Sequence, residues 1–197
     1  ACRRHGVHRI LAASTGGALL GEVPGPADEH VPARPPAPYG ASKLAMEGYL
    51  SAYAAGYGLS TLALRFSNVY GPGSLHKQGA VSRFFLAQLT GQAFTIAGDG
   101  SQVRDYLYVD DLVEAVLAAL ERGTTGVVQL GTGVPTTLND LVQLMSAAVG
   151  PPAPELRFAP SRAGEVHTTW CAIDRARAEL GFAPKTALAD GLASTWA

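Results

Sequence analysis

Apolar and polar positions alternate in two rhythms along this chain, and the rhythms follow one another in a regular order. A short apolar run, Val7 to Ala13, ends in the polar stop Ser14-Thr15-Gly16-Gly17, as a buried strand delivering side chains to a loop would. A proline-rich connection from Pro24 to Pro38 excludes a helix or central strand there. A helix is predicted from Tyr39 to Tyr57, closing at Gly56 and Gly58. A second strand follows over Thr61–Phe66 and breaks at Asn68-Val69-Tyr70-Gly71-Pro72-Gly73. The pattern then predicts a helix over Val81–Leu89, a strand at Phe94–Ile96, a turn at Gly98-Asp99-Gly100 and an extended piece at Tyr106–Val109. Asp110 is placed to cap a helix running to Arg122. Val127–Leu130 reads as a strand, and Thr137 with Asp140 as a capping box before a helix over Leu141–Val149. Leu156–Ala159 is a last strand, and two short helices start near Asp174 and Leu188.

Strands alternating with helices predict an α/β fold with a parallel sheet covered on both faces. At 197 residues the chain is long enough for a substantial core, as one large domain or two lobes. Its net charge of −1, with no long basic block, argues against a nucleic-acid binder on electrostatic grounds. No apolar run approaches the ~20 residues that span a bilayer, and cytoplasmic residence with no membrane partner is the expectation. Cys2 and Cys171 have neither metal-ligand nor disulfide-framework spacing, so no metal is expected and both read as small fillers.

In a parallel sheet, ligands gather at the carboxyl ends of the strands. Ser14-Thr15, Asn68 and Gly131 to Gly133 stand at three such ends. Tyr39 and Lys43, four residues apart at a helix start, share one helical face. A fixed cation beside a phenol favours its ionised form, which makes a general base from an ordinary side chain. A hydroxyl from Thr15 near that phenol would orient a substrate alcohol.

These segments carry a family resemblance. Ala13-Ser14-Thr15-Gly16-Gly17, Pro38-Tyr39-Gly40-Ala41-Ser42-Lys43 and Leu64-Arg65-Phe66-Ser67-Asn68-Val69-Tyr70-Gly71-Pro72 resemble the extended short-chain dehydrogenase/reductase family. So do Ile96 to Tyr106, Val109-Asp110-Asp111, Leu130 to Gly133, Arg162 to Val166 and Leu180 to Lys185, in the family's order across nearly the whole chain. Within the family the resemblance is strongest to nucleotide-sugar epimerases of the UDP-glucose 4-epimerase type. It implies the second half of a doubly wound Rossmann-type parallel sheet plus a smaller C-terminal substrate lobe. Residues 1–68 and about 100–133 would belong to the NAD-binding part, and about 69–99 and 134–197 to the nucleotide-sugar lobe.

The resemblance makes Tyr39 the catalytic base, Lys43 its electrostatic partner and a holder of the cofactor's ribose, and Thr15 the catalytic hydroxyl with Ser14 adjacent. Phe66 and Ser67 would lie along the nicotinamide. Asn68, Arg104 and Arg162 would meet the diphosphate of a UDP-sugar, and Glu165 the uridine ribose. Thr169 would face the sugar's 2-substituent, where a small residue suits N-acetylated sugars. The implied cofactor is NAD, and the implied assembly is a homodimer using the helices from Tyr39 and Val81.

The same scaffold serves nucleotide-sugar decarboxylases, dehydratases and reductases, and a cofactor-sensing protein could keep it without turnover. Gly16-Gly17 stands where dehydratases of the family carry an Asp-Glu acid–base pair, which argues against dehydration. The family's Tyr-Gly after this loop is Leu20-Gly21. No Gly-x-x-Gly-x-x-Gly phosphate loop is present, so the chain reads as N-terminally truncated relative to the family.

Overall fold

The structure, a computed structural model, describes residues 1–161 and 164–197. Three parallel strands form its first layer: β1 (Arg9–Thr15), β2 (Ser60–Phe66) and, in chain order, β7 (Gly126–Leu130), arranged β1-β2-β7. The register pairs Ser14 with Arg65 and Thr15 with Phe66, and continues from Phe66 to Leu130. The polar strand ends therefore emerge along one edge.

Alternation along β2 separates two faces. Leu62 and Leu64 join Val128 and Leu130 in a core closed by Ala115 and Ala119 of α4 (Val109–Arg122) and by Ile173, Ala176, Leu180 and Phe182 around α6 (Asp174–Leu180). Thr61 and Arg65 point the other way, toward α2 (Pro38–Tyr57). Pro38 sits in the first turn of α2, where its missing N–H costs nothing. Gly58 ends the helix in the left-handed conformation.

A second core lies beyond the three-stranded sheet, and a small third one gathers Leu19, Leu20, Val23 and Ala27. The second gathers Phe84 and Phe85 of α3 (Ala80–Thr90), Phe94 and Ile96 of β4 (Phe94–Ala97), Leu141 and Met145 of α5 (Leu138–Val149), and Leu192 of α7 (Leu188–Trp196). Tyr70 of β3 (Asn68–Tyr70) and Tyr106 of β6 (Tyr106–Tyr108) reach into it from a parallel pair. Strand β4 pairs with β9 (Leu156–Ala159) in parallel, and β5 (Val103–Arg104) with β8 (Thr136–Thr137) antiparallel.

Several expectations shift. Strand β1 starts at Arg9, not Val7, because a 3-10 turn over Cys2–His5 and a left-handed Gly6 occupy the chain before it. A one-turn helix, α1 (Gly17–Leu20), replaces the expected loop after Thr15. Asp110 is not the cap of α4. Tyr108 holds the extended cap position, and Asp110 lies in the first turn, where its charge still favours the helix dipole. At α5 the box forms in altered shape: Thr137 Oγ1 accepts from the Asp140 N–H at 3.0 Å and donates to Asp140 Oδ2 at 2.6 Å. The short Asp side chain meets the hydroxyl instead of reaching back to the backbone.

Candidate active site

A cavity of about 670 Å³ opens between the two larger cores, within the size range of small-molecule sites. Its walls include Ser14, Thr15, Tyr39, Phe66, Asn68, Arg104, Glu165 and Thr169, so residues singled out from distant parts of the sequence converge on one space. Arg162 falls outside the described residues.

Tyr39 stands in the first turn of α2 and is 57% exposed. Lys43, one turn on, places Nζ 5.7 Å from the centre of the Tyr39 ring and donates to the Ala13 carbonyl at 2.9 Å. Lys43 is not part of the cavity wall; it stands behind Tyr39, tied to β1. Ser14 and Thr15 point to opposite sides of β1. The Ser14 hydroxyl is buried and donates to Glu47 Oε1 at 2.6 Å, which engages it inside the sheet–helix layer. Thr15 is the neighbouring hydroxyl that carries no such bond.

Sequence reasoning missed Glu47 and Arg65. The Arg65 guanidinium makes a two-pronged bond to Glu47, Nε to Oε1 at 3.0 Å and Nη2 to Oε2 at 2.8 Å, with both side chains buried. The available signal was an arginine at an inward position of an otherwise apolar strand. Ser67 Oγ, next to Phe66 on the cavity wall, is buried without a hydrogen-bond partner.

Across the cavity, Arg104 Nη1 donates to the Val103 and His167 carbonyls at 2.8 and 2.9 Å, and Nη2 donates to the Val166 carbonyl. Glu165 is 3.9 Å from the same guanidinium. Glu22 holds the strap 164–169 from the other side, accepting from the His167 and Thr168 N–H groups at 2.7 and 2.9 Å. Thr169 is buried and packs so closely that a Cβ at Gly17 would lie 2.6 Å from its Cγ2. Asn68 Nδ2 donates to the Asp105 carbonyl at 3.2 Å. Lys77 and Arg83, which the sequence reading left without a role, add two cations to the cavity lining, Arg83 donating to the Thr95 carbonyl at 3.2 Å. The wall suits an anion.

Below Asn68, the Asp105 carboxylate is buried and fully partnered. It accepts from Thr132 N (2.8 Å), Thr132 Oγ1 (2.8 Å), Gly133 N (2.9 Å) and Cys171 Sγ (3.1 Å). Gly131 is required here, since a Cβ would lie 2.2 Å from Cys171 Sγ. Burial pushes the Cys171 thiol well above its ordinary range, and the adjacent Asp105 carboxylate adds to the shift. Burial also pushes the Tyr106 phenol up to about 12, against a smaller opposing effect of Arg104. Neither group is poised to exchange protons near neutrality. Among the described residues, no group of three or more His, Cys, Asp or Glu could hold a metal ion, and no helix is long and apolar enough to cross a membrane.

Residues 1–131 match the family model described as the NAD dependent epimerase/dehydratase family. A UDP-glucose 4-epimerase of Mycolicibacterium smegmatis is 39% identical over 201 residues, a match covering 99% of this chain and 63% of that protein. The crystal structure of a Thermotoga maritima UDP-glucose 4-epimerase with UDP-glucose superposes with a TM-score of 0.93 at 39% identity, covering 98% of this chain and 64% of that one. The Thermus thermophilus UDP-glucose 4-epimerase, in complex with NAD, gives 0.92 at 39% identity over the same shares, 98% and 64%. The chain thus spans less than two thirds of the length of the proteins it matches.

Proposed function

The chain belongs to the NAD dependent epimerase/dehydratase family, and within it we propose that the whole protein inverts carbon 4 of a UDP-hexose by transient hydride transfer to NAD. One observation carries this reading. The Tyr39–Lys43 face of α2 is fastened to β1 at Ala13, and Tyr39 borders a cavity whose lining also includes Lys77, Arg83 and Arg104. A tethered phenol paired with a cation is the equipment of proton abstraction, and Lys77, Arg83 and Arg104 suit a diphosphate.

The residues present fit the nicotinamide end of NAD. Phe66 and the unpartnered, buried Ser67 hydroxyl supply an apolar wall with one polar group, and Ser14 and Tyr39 border it with Lys43 behind. When bound, NAD supplies the hydride acceptor and then the donor. Tyr39 takes the proton of the sugar 4-hydroxyl and gives it back to the same oxygen once the keto sugar has turned the other face of carbon 4 to the cofactor; Thr15 orients that hydroxyl. Lys43 holds positive charge behind the phenol and reaches the cofactor ribose. Arg104, with Asn68 and Arg162, holds the diphosphate through charge-assisted bonds. Glu165 takes the uridine ribose, and Thr169 leaves room at the sugar's 2-position.

Residues 1–68 and about 100–133 form the cofactor side of this proposal, and about 69–99 and 134–197 the sugar side. Helix α6 crosses over to pack in the core of the three-stranded sheet. A cytoplasmic homodimer using α2 and α3 belongs to the same reading.

The test is direct. The whole protein is incubated with UDP-galactose, UDP-N-acetylgalactosamine and UDP-glucuronate, and product sugars are separated. One of these is expected to interconvert with its 4-epimer, and Tyr39→Phe should lower the rate by about 10²–10⁴-fold. Absence of interconversion with all three, or a Tyr39→Phe rate within threefold of wild type, would refute the proposal.

A further inference from the structure

We infer that the buried Glu47–Arg65 pair is a positioning element for the reaction, setting where Tyr39 stands relative to Thr15. The inference rests on the reading of Tyr39 as the base.

Within this chain, α2 is fastened to the strands by polar bonds: of its 20 residues only Gly40 and Glu47 are buried here. Glu47 lies one helical turn beyond Lys43 and two beyond Tyr39, so the three share a face. Lys43 is bonded to the Ala13 carbonyl, and Glu47 to the Ser14 hydroxyl. Ala13 and Ser14 are the two residues immediately before Thr15. The base and the hydroxyl it works with are therefore tied together through two bonds on consecutive strand residues.

Arg65 makes the second bond directional. It is the register partner of Ser14 on β2, and its planar fork holds both Glu47 oxygens. Sliding α2 along the sheet would break the fork and the serine bond together. Stability alone does not call for such a pair, because apolar residues of similar volume often hold two layers as well or better. Those residues lack a preferred direction along the sheet, and a displacement of about 1 Å at a reacting group can cost about 100-fold in rate.

That difference gives the test. The double variant E47L/R65M, made in the whole protein, is expected to stay folded with a lowered melting temperature, because it strands the Ser14 hydroxyl, and to keep its KM for the UDP-sugar within about threefold, with kcat lowered at least tenfold. Its crystal structure should show Lys43 Nζ beyond 3.5 Å from the Ala13 carbonyl, against 2.9 Å here, and the Tyr39 ring displaced. A folded E47L/R65M with kcat within threefold of wild type, or with Tyr39 unmoved, overturns the inference. Should the double variant not fold, Glu47→Asp, which keeps the charge but shortens its reach, decides by the same readouts. Should wild type turn over no UDP-sugar, the functional reading fails, and the crystallographic displacement still decides the positioning claim.

Discussion

Gly40→Ala separates stability from positioning in one methyl group. Gly40 follows Tyr39 in the first turn of α2, and a Cβ there would lie 1.8 Å from the Ala18 carbonyl oxygen and 2.9 Å from Pro35 Cβ. Ordinary contact begins near 3.4 Å, so the start of α2 or the α1 segment must give way by about 1.6 Å, a shift large enough to spoil a near-attack geometry. Alanine favours a helix over glycine by up to about 1 kcal/mol, while overpacking of this kind costs about 1–3 kcal/mol. Because the atom met is a backbone carbonyl oxygen and not a flexible side-chain end, the cost lies at or above the upper end of that range, for a net destabilisation of about 2 kcal/mol or more. The rate is a different matter: Tyr39 is the adjacent residue, and displacing it by about 1 Å should lower kcat about 100-fold. Chemical denaturation gives the first quantity and steady-state epimerisation the second. A Gly40→Ala protein with kcat within threefold of wild type would refute the claim that close approach of α1 and α2 places the base.

The Cys171 thiol, held neutral by burial and Asp105, should resist iodoacetamide at pH 8 in the folded protein, with Cys2 the reacting cysteine by mass spectrometry; rapid Cys171 labelling would contradict the burial. Its raised folded value has a sign. Its contribution to stability is complete below the unfolded thiol value of about 8.5 and falls as pH rises beyond it, because the unfolded state ionises first. Tyr106, at about 12 when folded, acts in the same direction above about 10, so denaturant midpoints should decline on the alkaline side. Thr137→Ala removes the hydroxyl that accepts the Asp140 N–H and should cost about 1 kcal/mol in the same measurement, with turnover unchanged. Asp105→Ala strands the partly buried Thr132 and Gly133 N–H donors and should cost about 2–6 kcal/mol, since each unmet donor costs about 1–3 kcal/mol.

What was legible in the sequence had long-range consequences written into local pattern. Thr61–Phe66 and Val127–Leu130 each read as a strand, and Leu62, Leu64, Val128 and Leu130 fall in one core. The Tyr39–Lys43 spacing names a helical face before any fold is known. The one-turn helix at Gly17–Leu20 was not legible, because two glycines after Ser14-Thr15 read as a turn. Two-residue pairings such as β5 with β8 carry no period to detect. Glu47 and Arg65 are 18 residues apart on different elements, and only packing α2 onto β2 reveals them as one unit. The same holds for Asp105 and Cys171, 66 residues apart.

Arg104 shows how roles assigned one by one become joined. The family resemblance assigns it the diphosphate; the structure has it donating to the carbonyls of Val166 and His167, in the strap that carries Glu165 and Thr169. One guanidinium thus serves the proposed anion contact and orders the residues proposed to meet the ribose and the sugar. A lysine would keep the charge and lose the fork, because its single ammonium cannot bond two adjacent carbonyls and an anion in fixed directions. The strap is clamped from outside by Glu22, through the N–H groups of His167 and Thr168. On the proposed reading, the nucleotide contact and the wall of the sugar pocket therefore rest on one set of bonds. Loss of Arg104 is then expected to loosen both ends of the substrate, whereas loss of Glu47 is expected to leave substrate binding intact and misplace the proposed base.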